Sequence, residues 1–268
     1  MARKPLIVLL SDLGTRDPSI AQTKAAILNV NRDVEIVDAT HEIRPRDLLE
    51  AGFHLERIYR NYPTRTIFCV MVEQFRGARA RPLLVVTMDN YYFAPDNGVL
   101  SFLYQSDPPS NVYHVTAEHY IKEPIGPVSG HRDVYGSAAG WLTKGIESNN
   151  FGDAVDDYVR TQLPTAQRSQ PNELKGHVLH VDRHGGLVTN LTEAAINAMR
   201  QELGAQVPFQ LVVGQHRVPI LGGYADGGPE VFGVFGNAGF VEIVGAKADA
   251  SAGLGAKRGD AVAVQFGG

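Results

Sequence analysis

Over roughly its first half the chain alternates short apolar runs with segments of helical period, and this alternation limits the fold more than any other feature. Leu6 to Leu10 reads as a strand; Ile20, Lys24, Ile27 and Leu28 then share a helix face, with only the lysine stem breaking the apolar stripe. Val34 to Val37 is a second strand, and Leu48, Ala51, Gly52, Leu55 and Ile58 line a second helix. Thr66 to Val72, Leu83 to Met88 and Val112 to Val115 supply further strands, and Val134, Ala138, Trp141 and Leu142 a further helix. Strands alternating with helices predict a layered α/β domain with a largely parallel sheet.

Between Arg160 and Lys175 the pattern dissolves into a polar stretch holding Pro164 and Pro171. Beyond it, Val178 to Val181, Phe209 to Val213, Val231 to Val234, Phe240 to Val244 and Ala261 to Gln265 are separated by Gly-rich turns, with one helical segment near Thr192 to Leu203. The expected organisation is an α/β domain over 1–162, a linker over 163–174, and a smaller all-β, barrel-like domain over 175–268.

A length of 268 residues suits one large or two modest domains at roughly 150 residues each. With 25 Lys+Arg against 29 Asp+Glu the net charge is −4, and no basic run tracks a phosphate backbone, which argues against nucleic acid as the main partner. No segment approaches the roughly 18 uninterrupted apolar residues of a membrane span. The run after Arg3-Lys4 is too short for a signal peptide and is closed by Ser11-Asp12, so a cytoplasmic location is expected. Cys69, the single cysteine, lies inside an apolar run and reads as a small core residue; neither a disulfide framework nor a cysteine zinc site is available.

Open α/β sheets bind ligands beyond the carboxyl ends of their strands. The residues there are Ser11-Asp12-Leu13-Gly14, Asp38-Ala39-Thr40-His41, Glu73 to Gly77 and Ala94-Pro95-Asp96-Asn97-Gly98. Asp12, an acid at a strand end before a glycine and a helix, is placed either to accept both hydroxyls of a ribose or to satisfy a turn. Asp17-Pro18-Ser19 reads as an N-cap followed by a proline in the first helical position, with amides that can hold a carboxylate. Asp96-Asn97-Gly98 reads first as a tight turn, and His41 as a ring that caps a strand end. His180, Asp182 and His184 alternate and would share one face of a strand; no metal site is expected from them.

Taken together, Ser11-Asp12-Leu13-Gly14-Thr15 with Asp17, Ser19, Ala21-Gln22 and Lys24, then Val37 to His41 with Pro45 and Asp47, Ala94 to Gly98, Arg132-Asp133, and Asp182 with Thr189-Asn190 resemble one family along nearly the whole chain. It is the family of S-adenosyl-L-methionine hydroxide adenosyltransferases and the nucleoside fluorinase and chlorinase. The resemblance implies an α/β domain followed by a β-barrel, a homotrimer with sites between neighbouring subunits, and attack of a nucleophile on the ribose C5′ of S-adenosylmethionine with loss of methionine. It implies no cofactor beyond that substrate. By the same resemblance Asp12 binds the ribose diol, Asp17, Ser19 and Asp182 the methionine end, and Glu73, His131 and Arg76 form the catalytic region; Arg46, Asp96, Asn97, Gly186 and Asn237 complete the substrate-binding set.

The chain departs from its relatives at the nucleophile. Where the family's hydrolases carry Asp-Pro-Gly-Val-Gly and an arginine pair, this sequence has Glu73 to Pro82, with Ala80 at the first arginine. The hydrolases' His-Gly-Arg-Asp is Gly130-His131-Arg132-Asp133, the imidazole shifted by one. The halogenases' Ser and Thr fall on His131 and Arg76, which argues against halide chemistry. Arg46 replaces the large residue that covers the sugar, His184-Gly185-Gly186 replaces Phe-Gly-Asn, and Gly236-Asn237-Ala238-Gly239 with Ala246 replaces the adenine-contacting motif. The expected function is cleavage of S-adenosylmethionine to adenosine and methionine. Two alternatives stay open: the scaffold recruited to an anionic substrate, or a catalytically silent nucleoside-binding trimer.

Overall fold

A computed structural model describes residues 3–72, 80–121, 130–226, 230–236, 238–246 and 249–267. The chain divides into two compact units, Met1–Leu163 and Pro164–Gly268.

In the first unit, β1 (Leu6–Ser11), β2 (Glu35–Thr40), β3 (Ile67–Met71), β4 (Pro82–Val86), β5 (Tyr91–Pro95) and β6 (Asn111–His114) form one sheet in the order β2-β1-β3-β5-β4-β6. The pairs β1/β2, β1/β3 and β3/β5 are parallel, whereas β4 runs antiparallel to both β5 and β6. β1 is buried on both faces: Val8 and Leu10 join a core with Ala51 and Leu55, and Ile7 and Leu9 join a second core with Ile20 and Ile27. A strand covered on both faces must be apolar throughout, which is why Leu6 to Leu10 reads as a continuous run rather than an alternating one.

The helices α1 (Ser19–Val30) and α2 (Leu48–Ile58) therefore cover opposite faces of the sheet. α1 buries Ile20, Thr23, Ala26 and Ile27, while Leu28, expected on that face, is 40% exposed. Asp17 does not cap α1 either: the cap position is Pro18, with no side-chain hydrogen bond. α2 is capped by Asp47, whose carboxylate accepts the Glu50 N–H at 2.9 Å. A short α3 (Ser101–Ser106) follows β5. His131–Gly136 forms a π-helical turn that runs into α4 (Ser137–Leu142), and Gly136 and Gly140 face α1 so closely that a Cβ at either would press on Thr23 or Val30. The Leu83 to Met88 run stops short as a strand at Val86; Met88 is 90% exposed.

Gly152 sets a strict backbone condition. Its φ of 151° and ψ of −170° lie where essentially only glycine goes, and a Cβ there would overlap the His114 carbonyl oxygen. The segment cannot shift away, because His114 N–H donates to Asp153 O at 2.9 Å and Thr116 N–H to Phe151 O at 2.9 Å. Gly152→Ala is expected to cost about 3 kcal/mol or more in a urea unfolding titration. A loss below about 1 kcal/mol would mean that this backbone relaxes freely.

The second unit has one antiparallel sheet: β7 (Gln167–Gln170), β8 (Glu173–Val181), β9 (Leu187–Thr192), β10 (Phe209–Val213), β11 (His216–Val218), β12 (Val231–Phe235), β13 (Phe240–Gly245) and β14 (Ala261–Phe266). The order is β11-β10-β14-β8-β9-β13-β12, with β7 on β8. The two ends of that order nearly meet: Gly233 N–H donates to Pro219 O at 2.8 Å and Leu221 N–H to Gly233 O at 2.9 Å, so the sheet curls into an almost closed barrel. Its interior holds Val178, Leu187, Leu211, Val241, Ile243, Val262 and Val264. α5 (Glu193–Leu203) packs Ile196 and Met199 onto the same core and is capped by Thr192; α6 (Ala250–Leu254) is capped by Asp249. Among the described residues, no helix is long and apolar enough to cross a membrane.

Candidate active site

The strand order and the opposite placement of α1 and α2 create a switch point. The chain leaves β1 for β2 on one side, then crosses to β3 on the other, so the carboxyl ends of β1 and β3 border the crevice in which such sheets bind ligands. The register pairs Ser11 with Met71, two residues before Glu73. Glu73 and Arg76 themselves, with the rest of 73–79, lie outside the described residues.

Asp12 projects from the end of β1. Its Oδ2 accepts the Arg46 N–H at 2.7 Å, so the structure brings these two expected binding residues together. Arg46 adopts a left-handed backbone with φ of 66°, an unusual conformation for a side chain of its size, immediately before the Asp47 cap. Burial pushes the Asp12 carboxyl above its ordinary value; the Arg46 N–H, its own backbone N–H and the Arg46 charge act in the opposite direction without cancelling the effect. Such a carboxylate is partly stripped of water and gains when hydroxyl donors arrive.

The backbone beneath Asp12 is fixed by β2. The Gly14 N–H donates to the His41 carbonyl at 2.8 Å, and the His41 ring Nδ1 lies 2.8 Å from Ser11 Oγ, which also accepts the Leu13 N–H at 3.3 Å. Asp38 stands 3.2 Å from the other ring nitrogen of His41 and binds Lys24 Nζ at 2.6 Å. Burial alone would raise the Asp38 carboxyl, but the hydrogen bonds and charges of Lys24 and His41 outweigh it and hold the group below its ordinary value. By helical period alone Lys24 reads as an interruption of an apolar stripe. Its tie to Asp38 joins α1 to β2, which a periodicity within one helix cannot reveal.

Asp17 is exposed and Ser19, the first residue of α1, is half-buried; the Ser19 carbonyl accepts the Thr23 hydroxyl at 3.0 Å. Asp96 and Asn97 have their polar atoms engaged internally. Asp96 Oδ2 accepts Arg81 Nε at 2.6 Å and Oδ1 the Val159 N–H at 2.7 Å, while Asn97 Nδ2 donates to the Val72 carbonyl at 2.9 Å and its Oδ1 accepts the Val99 N–H. Arg81 also reaches Asp157 at 2.6 Å. These bonds tie the turn after β5 to Val72 on one side of 73–79 and to Arg81 on the other. His131 opens the π-helical turn and is half-buried, beside an Arg132–Asp133 pair joined by two bonds of 2.6 Å. Cys69 is fully buried and its thiol is pushed up to about 12, which leaves no thiolate near neutral pH.

In the second unit, Asp182 closes the β8–β9 hairpin: its Oδ1 accepts the N–H groups of His184 and Gly186, each at 2.8 Å. β8 ends at Val181, so His180, Asp182 and His184 do not alternate along one strand as the sequence suggested. The turn takes them out of register. Asn237 lies outside the described residues.

Residues 7–152 match the model of the SAM hydroxide adenosyltransferase N-terminal domain, and residues 176–263 that of the C-terminal domain. An (R)-S-adenosyl-L-methionine hydrolase of Thermus thermophilus is 27% identical over 260 residues, covering 94% of this chain and 96% of that protein. A fluorinase of Nocardia brasiliensis is 25% identical over 243 residues, covering 78% and 81%. An uncharacterized conserved protein from Thermotoga maritima has a crystal structure matching with a TM-score of 0.87 at 25% identity, over 97% of this chain and 99% of that one. With both domain models matched in order along most of its length, this chain belongs to the SAM hydroxide adenosyltransferase family.

Proposed function

We propose that the protein cleaves S-adenosyl-L-methionine, with water attacking the ribose C5′. The C5′–O bond forms as the C5′–S bond breaks, the electron pair stays on sulfur as a neutral thioether, and the water proton passes to Glu73. The leaving group needs no proton, so the protein has only to orient water, exclude bulk solvent and hold the sugar. The single observation that carries this reading is the partly desolvated Asp12 carboxylate at the β1/β3 switch point, held by the Arg46 N–H.

In this reading Asp12 takes the ribose hydroxyls, Arg46 flanks the sugar, and Asp17, Ser19, Asp182, Gly186 and Asn237 serve the remainder of the substrate. Glu73 and His131 orient the water, with Arg76 beside them. Asp96 and Asn97 contribute by holding Val72 and Arg81 rather than by touching ligand. The protein works as a cytoplasmic homotrimer of chains that each carry an α/β domain and a barrel-like domain.

The test is calorimetry against S-adenosylmethionine and adenosine, with chromatography of the same samples for adenosine and methionine. Binding with release of both products is expected. Adenosine binding without cleavage would make the protein a silent nucleoside binder, and binding of neither would mean that the pocket has changed substrate.

A further inference from the structure

The hydrogen-bonded group Ser11, His41, Asp38 and Lys24 has the residue types of a nucleophilic triad, yet Ser11 is 0% exposed and His41 3% exposed, so the hydroxyl cannot meet a substrate. What it does meet is the backbone that carries Asp12. Of the four residues Ser11 to Gly14, His41 holds Ser11 through its ring, Leu13 through the Ser11 hydroxyl, and Gly14 through its carbonyl. The other ring nitrogen, Nε2, is buried and stands 3.2 Å from Asp38 Oδ1. The ring is held between Ser11 and Asp38, and Lys24 in turn fixes Asp38 at 2.6 Å.

We propose that Lys24, Asp38, His41 and Ser11 form a positioning relay that aims the Asp12 carboxylate at the ribose hydroxyls of the substrate. The relay rests on the reading of Asp12 as the ribose ligand, and it adds four residues that touch no substrate. Three secondary-structure elements meet in it: α1 supplies Lys24, β2 supplies Asp38 with His41 just beyond its end, and β1 supplies Ser11. A carboxylate that must accept two hydroxyls at once tolerates little rotation, so loss of the Ser11 hydroxyl should weaken binding through the sugar alone.

The experiment measures dissociation constants of adenosine and 2′,3′-dideoxyadenosine by competition calorimetry for wild type, Ser11→Ala and His41→Asn. Ser11→Ala removes the hydroxyl at little cost in volume. His41→Asn leaves an amide oxygen where Nδ1 stood and cuts the link to Asp38. Ser11→Ala is expected to weaken adenosine about five- to tenfold and dideoxyadenosine less than twofold, with His41→Asn in between. A merely structural role would lower the melting temperature while shifting both ligands equally; equal shifts, or none, overturn the relay. Wild-type protein that binds the two nucleosides equally, or binds neither, would instead sink the ribose reading of Asp12 and the relay with it.

Discussion

Asp12→Ala is expected to weaken adenosine binding by about 10²- to 10⁴-fold. Two hydrogen bonds from ribose hydroxyls to an ionised carboxylate are each worth about 1.5 to 3 kcal/mol, and both vanish with the side chain. The Arg46 N–H also loses its acceptor, so the left-handed turn before α2 loosens on the side facing the sugar. Calorimetry checks this directly, and a Kd within threefold of wild type would remove Asp12 from the site. The direction of its pKa shift adds a pH test. Because burial raises the folded-state value, affinity should begin to fall at a higher pH than an ordinary aspartate near 3.9 would dictate. The stability effect has the opposite sense: a raised folded-state pKa gives stability below the unfolded value that is lost as pH rises through the folded value. Asp12→Asn should therefore melt higher than wild type at neutral pH, and the gap should close in acid.

Glu73→Gln is expected to lower turnover of S-adenosylmethionine by about 10²- to 10⁴-fold, the usual contribution of a general base, while leaving its affinity within about threefold. Glutamine keeps the shape and one acceptor oxygen but cannot take the proton of the attacking water. Asn97 Nδ2 holds the carbonyl of Val72, the last described residue before Glu73 in the chain. Rates measured by chromatography under saturating substrate decide the matter; an undiminished rate would assign the proton to another group.

The strand and helix positions were largely legible because burial leaves a local imprint. β1 is apolar at every position because both faces are covered, and α2 spans Leu48 to Ile58 as its stripe indicates. Local reading misjudged Leu28 and the cap of α1, where neighbouring elements rather than helical period decide exposure. Asp12 was legible as a strand-end acid. Asp96 and Asn97 were legible as a turn, but not as the turn that grips Val72 and Arg81.

By itself, then, the sequence determined the α/β and barrel classes, the strand-end motifs and the altered residues around Glu73 and His131, because hydrophobic period, turn chemistry and motif order are written in short windows. Only the tertiary structure decided that β1 lies between β2 and β3, which brings His41 onto Ser11 across 30 residues, and that Arg81, just before β4, meets Asp157 across 76. Those contacts depend on strand order and register, which the packing of helices on both faces selects, and no local window of residues carries that information.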